Sequence, residues 1–174
     1  MTQKQNKLQL IRLADVPLTP VRWLWHPYIP FGKITIIQGN PGEGKTTLSL
    51  RLAAACSRGQ ALPGMEPSTP INIFYQTAED GLGDTIKPRL MSAGADLNRI
   101  VCIDETERCL SLLDNRIEQG IRETNAKILI LHPLQGYLGR NVDMNRANEI
   151  RDVLKRLTTI ADQTGCAVVL IGHL

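Results

Sequence analysis

Lys33-Ile34-Thr35-Ile36-Ile37-Gln38-Gly39-Asn40-Pro41-Gly42-Glu43-Gly44-Lys45-Thr46-Thr47 is the stretch on which the fold turns. Residues 34–38 are a short β-branched run that predicts a strand. Residues 44–57 predict a helix carrying Leu48, Leu50, Leu52 and the alanines 53–55, stopped near Gly59. Between them, Gly39 to Thr46 satisfies G-x-x-x-x-G-K-[ST] at every fixed position, in the strand-then-helix setting that this phosphate-binding motif requires. Chemistry explains the composition. Backbone N–H groups that turn inward around a phosphate need the conformational freedom and close approach that glycine gives at 39, 42 and 44. A helix starting near Gly44 aims the positive end of its dipole at the anion. Lys45 supplies a point charge to β- and γ-phosphates, and the Thr46 hydroxyl is a candidate Mg²⁺ ligand. Asn40, Pro41, Glu43 and Thr47 complete the candidate nucleotide-contacting set.

Outward from this loop the pattern alternates strand and helix. Further strands are predicted over 71–76, 100–103, 127–131 and 167–171, each apolar without alternation. Asp114 reads as the N-cap of a helix with Ile117 and Ile121 on one face. Residues 146–163 form the clearest helix, with Ile150, Val153, Leu154, Leu157, Ile160 and Ala161 on one stripe and Gly165 at its end. Non-alternating strands separated by helices imply a parallel sheet covered on both faces, hence a three-layer α/β core over 34–174. Residues 1–33 differ: Pro17, Pro20, Pro27 and Pro30 punctuate Trp23, Leu24, Trp25, Tyr28 and Phe31, which forbids a regular helix. An irregular arm whose aromatics pack onto the core is expected there, with a recognition surface as the alternative.

At 174 residues, 43% hydrophobic and 21% charged, the chain can bury one core and is not disordered. The net charge of +3 is local, since residues 1–33 carry five basic side chains against Asp15 alone. The remainder has fifteen basic and sixteen acidic residues, so it is no nucleic-acid-coating basic domain. No apolar run reaches the ~18–20 residues of a membrane span, and residues 1–10 lack the apolar stretch of a secretory signal. Cys56, Cys102, Cys109 and Cys166 are scattered, which predicts reduced thiols in a cytoplasmic protein rather than a disulfide framework or zinc site.

Hydrolysis of a bound nucleotide needs a carboxylate near the γ-phosphate to orient water. The second predicted strand runs into Tyr75-Gln76-Thr77-Ala78-Glu79-Asp80-Gly81, and carboxylates just beyond a parallel strand's C-terminal end lie in the ligand crevice. Glu79 is the candidate catalytic base, although Glu79 and Asp80 could instead cap the next helix. The last strand ends Ile171-Gly172-His173, which brings His173 to the same edge.

Together the loop, YQTAEDG (75–81), TIKPRLMSAGAD (85–96), HPLQGYLG (132–139), DMNRANEIRDVLKRL (143–157) and TGCAVVLIGHL (164–174) resemble the RecA-like ATPases of plasmid and phage replication. The nearest type is the RepA-like hexameric replicative helicase. The resemblance implies a RecA-like core with strand order 3-2-4-5-1, counting the five core strands along the chain. It also implies ATP with Mg²⁺, a homo-hexameric ring and action on single-stranded DNA. By position, Lys45 and Thr46 match the phosphate-loop pair, Glu79 the catalytic glutamate and His173 the histidine of the terminal strand. Arg89 matches an arginine near the nucleotide, and equally suits a solvated surface.

Two departures stand out. The family follows its fourth core strand with an aspartate that binds a water on Mg²⁺, and here His132-Pro133 occupies that place. Imidazole is a poor partner for Mg²⁺, and Asp143 is too far along the chain to stand at the strand end. His132 therefore reads either as a degraded site or as a residue with a task of its own. Second, the chain stops at Leu174, on the edge of the last strand, as expected for a C-terminally truncated core. These departures keep open a non-hydrolysing nucleotide-binding or assembly module. A small-molecule kinase fits less well, with only Arg140 and Arg146 available for a lid.

Overall fold

The computed structural model describes residues 8–138 and 147–173. Residues 8–22 are exposed throughout. An antiparallel pair follows, β1 (Trp23–Trp25) and β2 (Ile29–Pro30). The expectation of an irregular arm is thus corrected over 23–30. The prolines did not prevent pairing because Pro27 sits in the turn and Pro30 at the end of an edge strand, where no ladder N–H is demanded. Leu24 and Ile29 enter the core, and the Trp25 indole N–H donates to the Pro63 carbonyl at 3.0 Å.

The main sheet comprises β3 (Ile34–Gly39), β4 (Asn72–Thr77), β5 (Ile100–Val101), β6 (Ala126–His132) and β7 (Ala167–His173), all parallel. Its spatial order, β5-β4-β6-β7-β3, is the order expected of a RecA-like sheet. Among the described residues four α-helices cover it: α1 (Lys45–Arg58), α2 (Lys87–Ser92), α3 (Asn115–Thr124) and α4 (Ala147–Thr164). Alternate residues of each strand feed opposite faces, as the pleat dictates. Ile73, Tyr75, Ile128, Ile130 and Val169 pack with Leu50 and Ala53 of α1. Phe74, Leu129, Leu131 and Val168 pack with Ile117 of α3 and Leu157 of α4. The result is the three-layer α/β fold.

Boundaries moved where side chains intervene. The strand expected over 100–103 stops at Val101 because Ile103 pairs with a side chain instead of a strand. Its N–H donates to Gln76 Oε1 at 2.9 Å, and its carbonyl accepts from Gln76 Nε2 at 3.1 Å. Asp114 caps α3 as expected, its carboxylate accepting the Arg116 N–H at 2.9 Å. Register sets what comes next: Gly39 lies beside His173, and Thr77 beside His132. Four strands therefore end on one edge, the β3–β7 pair two residues beyond the β4–β6 pair. Strand β3 is one of the sheet's two outer strands among the described residues, and Ile36 on it is 45% exposed.

Candidate functional site

The strand ends and the start of α1 enclose a crevice of about 320 Å³ lined by Pro41, Gly42, Gly44, Lys45, Thr46, Thr47, Glu79, Asp80, Arg89, His132 and His173. Sequence reading had singled out each of these except Asp80, weighed only as a cap. Gly42 and Gly44 both have φ of +84°, a left-handed conformation costly for any residue with a Cβ, and this lets the loop curl back to start α1.

Inside the loop the polar groups satisfy one another. Lys45 is buried, and its ammonium donates to the carbonyls of Gly39 at 2.7 Å and Asn40 at 2.6 Å. The Glu43 carboxylate accepts the Asn40 backbone N–H at 2.7 Å and its side-chain amide at 3.1 Å. These hydrogen bonds, from the Asn40 side chain first, hold the Glu43 carboxyl below the usual carboxylate range. The polar groups of the loop are thus satisfied within it, with its own carboxylate folded over Gly39.

Across the crevice, Thr77 Oγ1 accepts the N–H groups of Glu79 at 3.4 Å and Asp80 at 3.2 Å, a short turn that presents both acids. Neither acid caps the following helical turn: Gly81 precedes it, without a side-chain cap. The capping alternative for Glu79 is therefore excluded. Glu79 Oε1 lies 3.6 Å from His173 Nε2, with half of the Glu79 side chain exposed.

His132 stands between these halves. It is buried, and its Nε2 is 3.2 Å from Thr46 Oγ1 although 86 residues separate the two in sequence. Burial pushes the imidazole pKa down, opposed by Glu79 and Asp80, so the ring favours its neutral form. The His132 and His173 rings approach edge-to-face with centroids 6.3 Å apart. Among the described residues, His132 Nδ1, His173 Nδ1 and Gln135 Oε1 are buried and find no hydrogen-bond partner. Gln135 was not anticipated; its amide donates to the His173 carbonyl at 3.0 Å and ties the turn after β6 to the end of β7. The nearest sequence signal for it was its place in HPLQGYLG. That turn also packs tightly, since a Cβ on Gly136 would come within 2.5 Å of the Ala78 methyl.

A larger cavity, about 720 Å³, lies one strand over and was not foreseen. Gln76, Cys102, Glu105 and Cys109 are on its walls, and Glu105 holds the Leu110 N–H at 2.9 Å. Among the described residues, no three His, Cys, Asp or Glu side chains gather as a metal cluster, and no helix is long and apolar enough to cross a membrane. Arg140, Asp143, Arg146 and Leu174 lie outside the described residues.

A parallel sheet in this order, with a phosphate loop joining β3 to α1 at its C-terminal edge, defines a RecA-like P-loop ATPase domain. Residues 2–174 match the AAA_25 family, described as AAA domain, and the chain belongs to it. It is 24% identical to the DNA repair protein RadA of Halalkalibacterium halodurans over 144 residues, 82% of this chain and 28% of that protein. It is also 24% identical to Protein RecA of Deinococcus radiodurans over 150 residues, 83% of this chain and 38% of that protein. The chain thus spans well under half the length of the curated relatives it matches.

Proposed function

We propose that this chain binds ATP in the strand-edge crevice and is the ATPase core of a DNA-processing oligomer of the RepA-like replicative helicase type. The observation that carries the ATP reading is the convergence of the glycine loop, Lys45, Thr46, Glu79, Arg89 and His173 on one crevice. Main-chain amides of residues 42–46 and the start of α1 receive the β- and γ-phosphates. Lys45 exchanges its two carbonyl partners for phosphate oxygens. Glu79 orients a water and accepts its proton as the oxygen attacks the γ-phosphorus, giving ADP and phosphate. His173, next to Glu79, links the end of β7 to the reacting end of the nucleotide, and Arg89 offers a positive charge from α2.

The residues suit the family's Mg²⁺ less well than its ATP. Thr46 supplies an oxygen, but the strand-end position that should carry a carboxylate carries His132, and Mg²⁺ favours oxygen donors. The helicase type rests on the motif resemblance. Relatives named RecA and a DNA repair protein support the wider reading of work on DNA, with single-stranded DNA and further copies of the chain as partners. In this reading residues 1–33 are an arm and 34–174 the ATPase core. Calorimetric titration with ATP, beside phosphate release with and without single-stranded DNA and light scattering for oligomer size, tests it. ATP binding, stimulation by the DNA and a six-subunit mass are expected. ATP binding and phosphate release without any response to DNA would leave an ATPase and remove the helicase type.

A further inference from the structure

We propose that the nucleotide site of this protein selects a first-row transition-metal cation over Mg²⁺, with His132 Nε2 as a direct ligand beside Thr46 Oγ1. This rests on the ATP-binding reading above and deepens it. The first observation is chemical. The residue at the crevice end of β6 is an imidazole, and imidazole nitrogen suits Co²⁺, Ni²⁺ and their neighbours, whereas Mg²⁺ favours oxygen and keeps its waters.

The second observation is geometric. His132 Nε2 and Thr46 Oγ1 are 3.2 Å apart. Two adjacent ligands of an octahedral ion with bonds of about 2.1–2.2 Å stand about 3.0–3.1 Å apart, so the pair already spans one edge of such a shell. The third is placement. His132 is buried, lines the phosphate crevice, and is fixed between Leu131 of the core and the turn held by the Ala78 N–H on its carbonyl at 3.0 Å. Metals of this series also bind nitrogen sites with affinity rising from Mn²⁺ to Ni²⁺, which gives the idea a graded signature. Phosphate oxygens and waters would supply the remaining positions. The ligand is therefore a nucleoside triphosphate complexed to a divalent d-block cation.

Two measurements decide. Titration of a non-hydrolysable ATP analogue is run with Mg²⁺, Mn²⁺, Co²⁺ and Ni²⁺ on the parent and on His132→Asp. The parent should bind at least about tenfold more tightly with Co²⁺ or Ni²⁺ than with Mg²⁺, and this ratio should fall to about threefold or less in His132→Asp. Electron spin-echo spectroscopy of Mn²⁺·ADP on the parent should show a directly bound ¹⁴N, present in His173→Gln and absent in His132→Asp. If His132→Asp does not fold, the parent and His173→Gln spectra decide alone. Equal cation ratios in parent and variant, no ¹⁴N coupling, or coupling lost only in His173→Gln would overturn the proposal while ATP binding stands. Failure to bind the analogue with any cation would remove both readings.

Discussion

The two walls of the crevice are built on different principles. The phosphate-loop wall is mostly main chain: two glycines at positive φ, a helix start, and a lysine and glutamate satisfied within the loop. The opposite wall is side chain: Glu79 and Asp80 on a threonine-held turn, His173, and a buried His132 reaching Thr46. Main-chain recognition tolerates change elsewhere, because it depends only on the local loop conformation. Side-chain chemistry tolerates little, since one exchanged group alters which charge faces the reacting atoms. The difference teaches that binding and turnover can part company here, the loop wall governing the first and the β6–β4 wall the second.

The largest effects should come from the side-chain wall. His132→Asp restores a carboxylate at the end of β6, and phosphate release in Mg²⁺ should rise at least about tenfold with nucleotide affinity little changed. Adding Glu79→Gln to that variant should lower the rate by about 10²–10⁴-fold, because the water loses its base while the binding groups remain. Steady-state phosphate release from parent, single and double variants checks both. Equal rates for parent and His132→Asp would mean that the end of β6 does not govern turnover, and the contrast between the walls would collapse.

The main-chain wall is broken at its one indispensable side chain. Lys45→Ala should weaken ATP binding at least tenfold, about 1.4 kcal/mol or more, read by calorimetry. The amides survive the substitution, so some binding should remain. Unchanged affinity would remove the loop from the site.

How legible was all this beforehand? The β3–loop–α1 unit was open to reading because both periods and the motif are local, and the strand order followed from the resemblance. Glu79 and His173 could be placed by the rule that parallel strands end at the ligand edge. What escaped depends on contacts between distant residues. Nothing local in Ile100–Val101 says that the strand must stop, because Gln76 on a neighbouring strand captures the Ile103 backbone. The approach of His132 to Thr46 needed the register of Thr77 with His132 and the pleat that turns residue 132 towards α1. Gln135 and Thr77 act through backbone groups, a role that residue type alone does not announce. Hairpin pairing around Pro27 was hidden because proline frequency argues only against helix.

A variant remote from both walls sharpens the comparison. Asp114 caps α3, and hydrogen bonding to Arg116 holds its carboxyl below the usual carboxylate range. A depressed carboxylate pKa adds stability that is present above the ordinary value and is lost as pH falls through the native one. Asp114→Ala should cost about 1–2 kcal/mol in thermal or denaturant unfolding at neutral pH. Relative to the variant, the parent's advantage should shrink in acid. Nucleotide affinity should stay at the parent value. A loss of affinity here would show that stability, not the walls, limits binding.

The smallest effect tests the loop's own carboxylate. Glu43 lies across Gly39 and Asn40, where an incoming phosphate meets a like charge. Glu43→Gln keeps an oxygen for the Asn40 N–H and removes that charge, so ATP affinity should rise, by about two- to fivefold for an exposed, screened group. The gain should fade as salt rises, because the repulsion is a surface term. Acid cannot imitate the variant. The Asn40 hydrogen bonds hold the Glu43 carboxyl below its ordinary value, so it stays ionised between about pH 5 and 8 and the ratio of the two affinities should be flat there. Calorimetry at two salt concentrations and across that range checks the sign. Weaker binding in Glu43→Gln would mean that the carboxylate serves the nucleotide by holding the loop open, and that even the main-chain wall depends on a side chain for its shape.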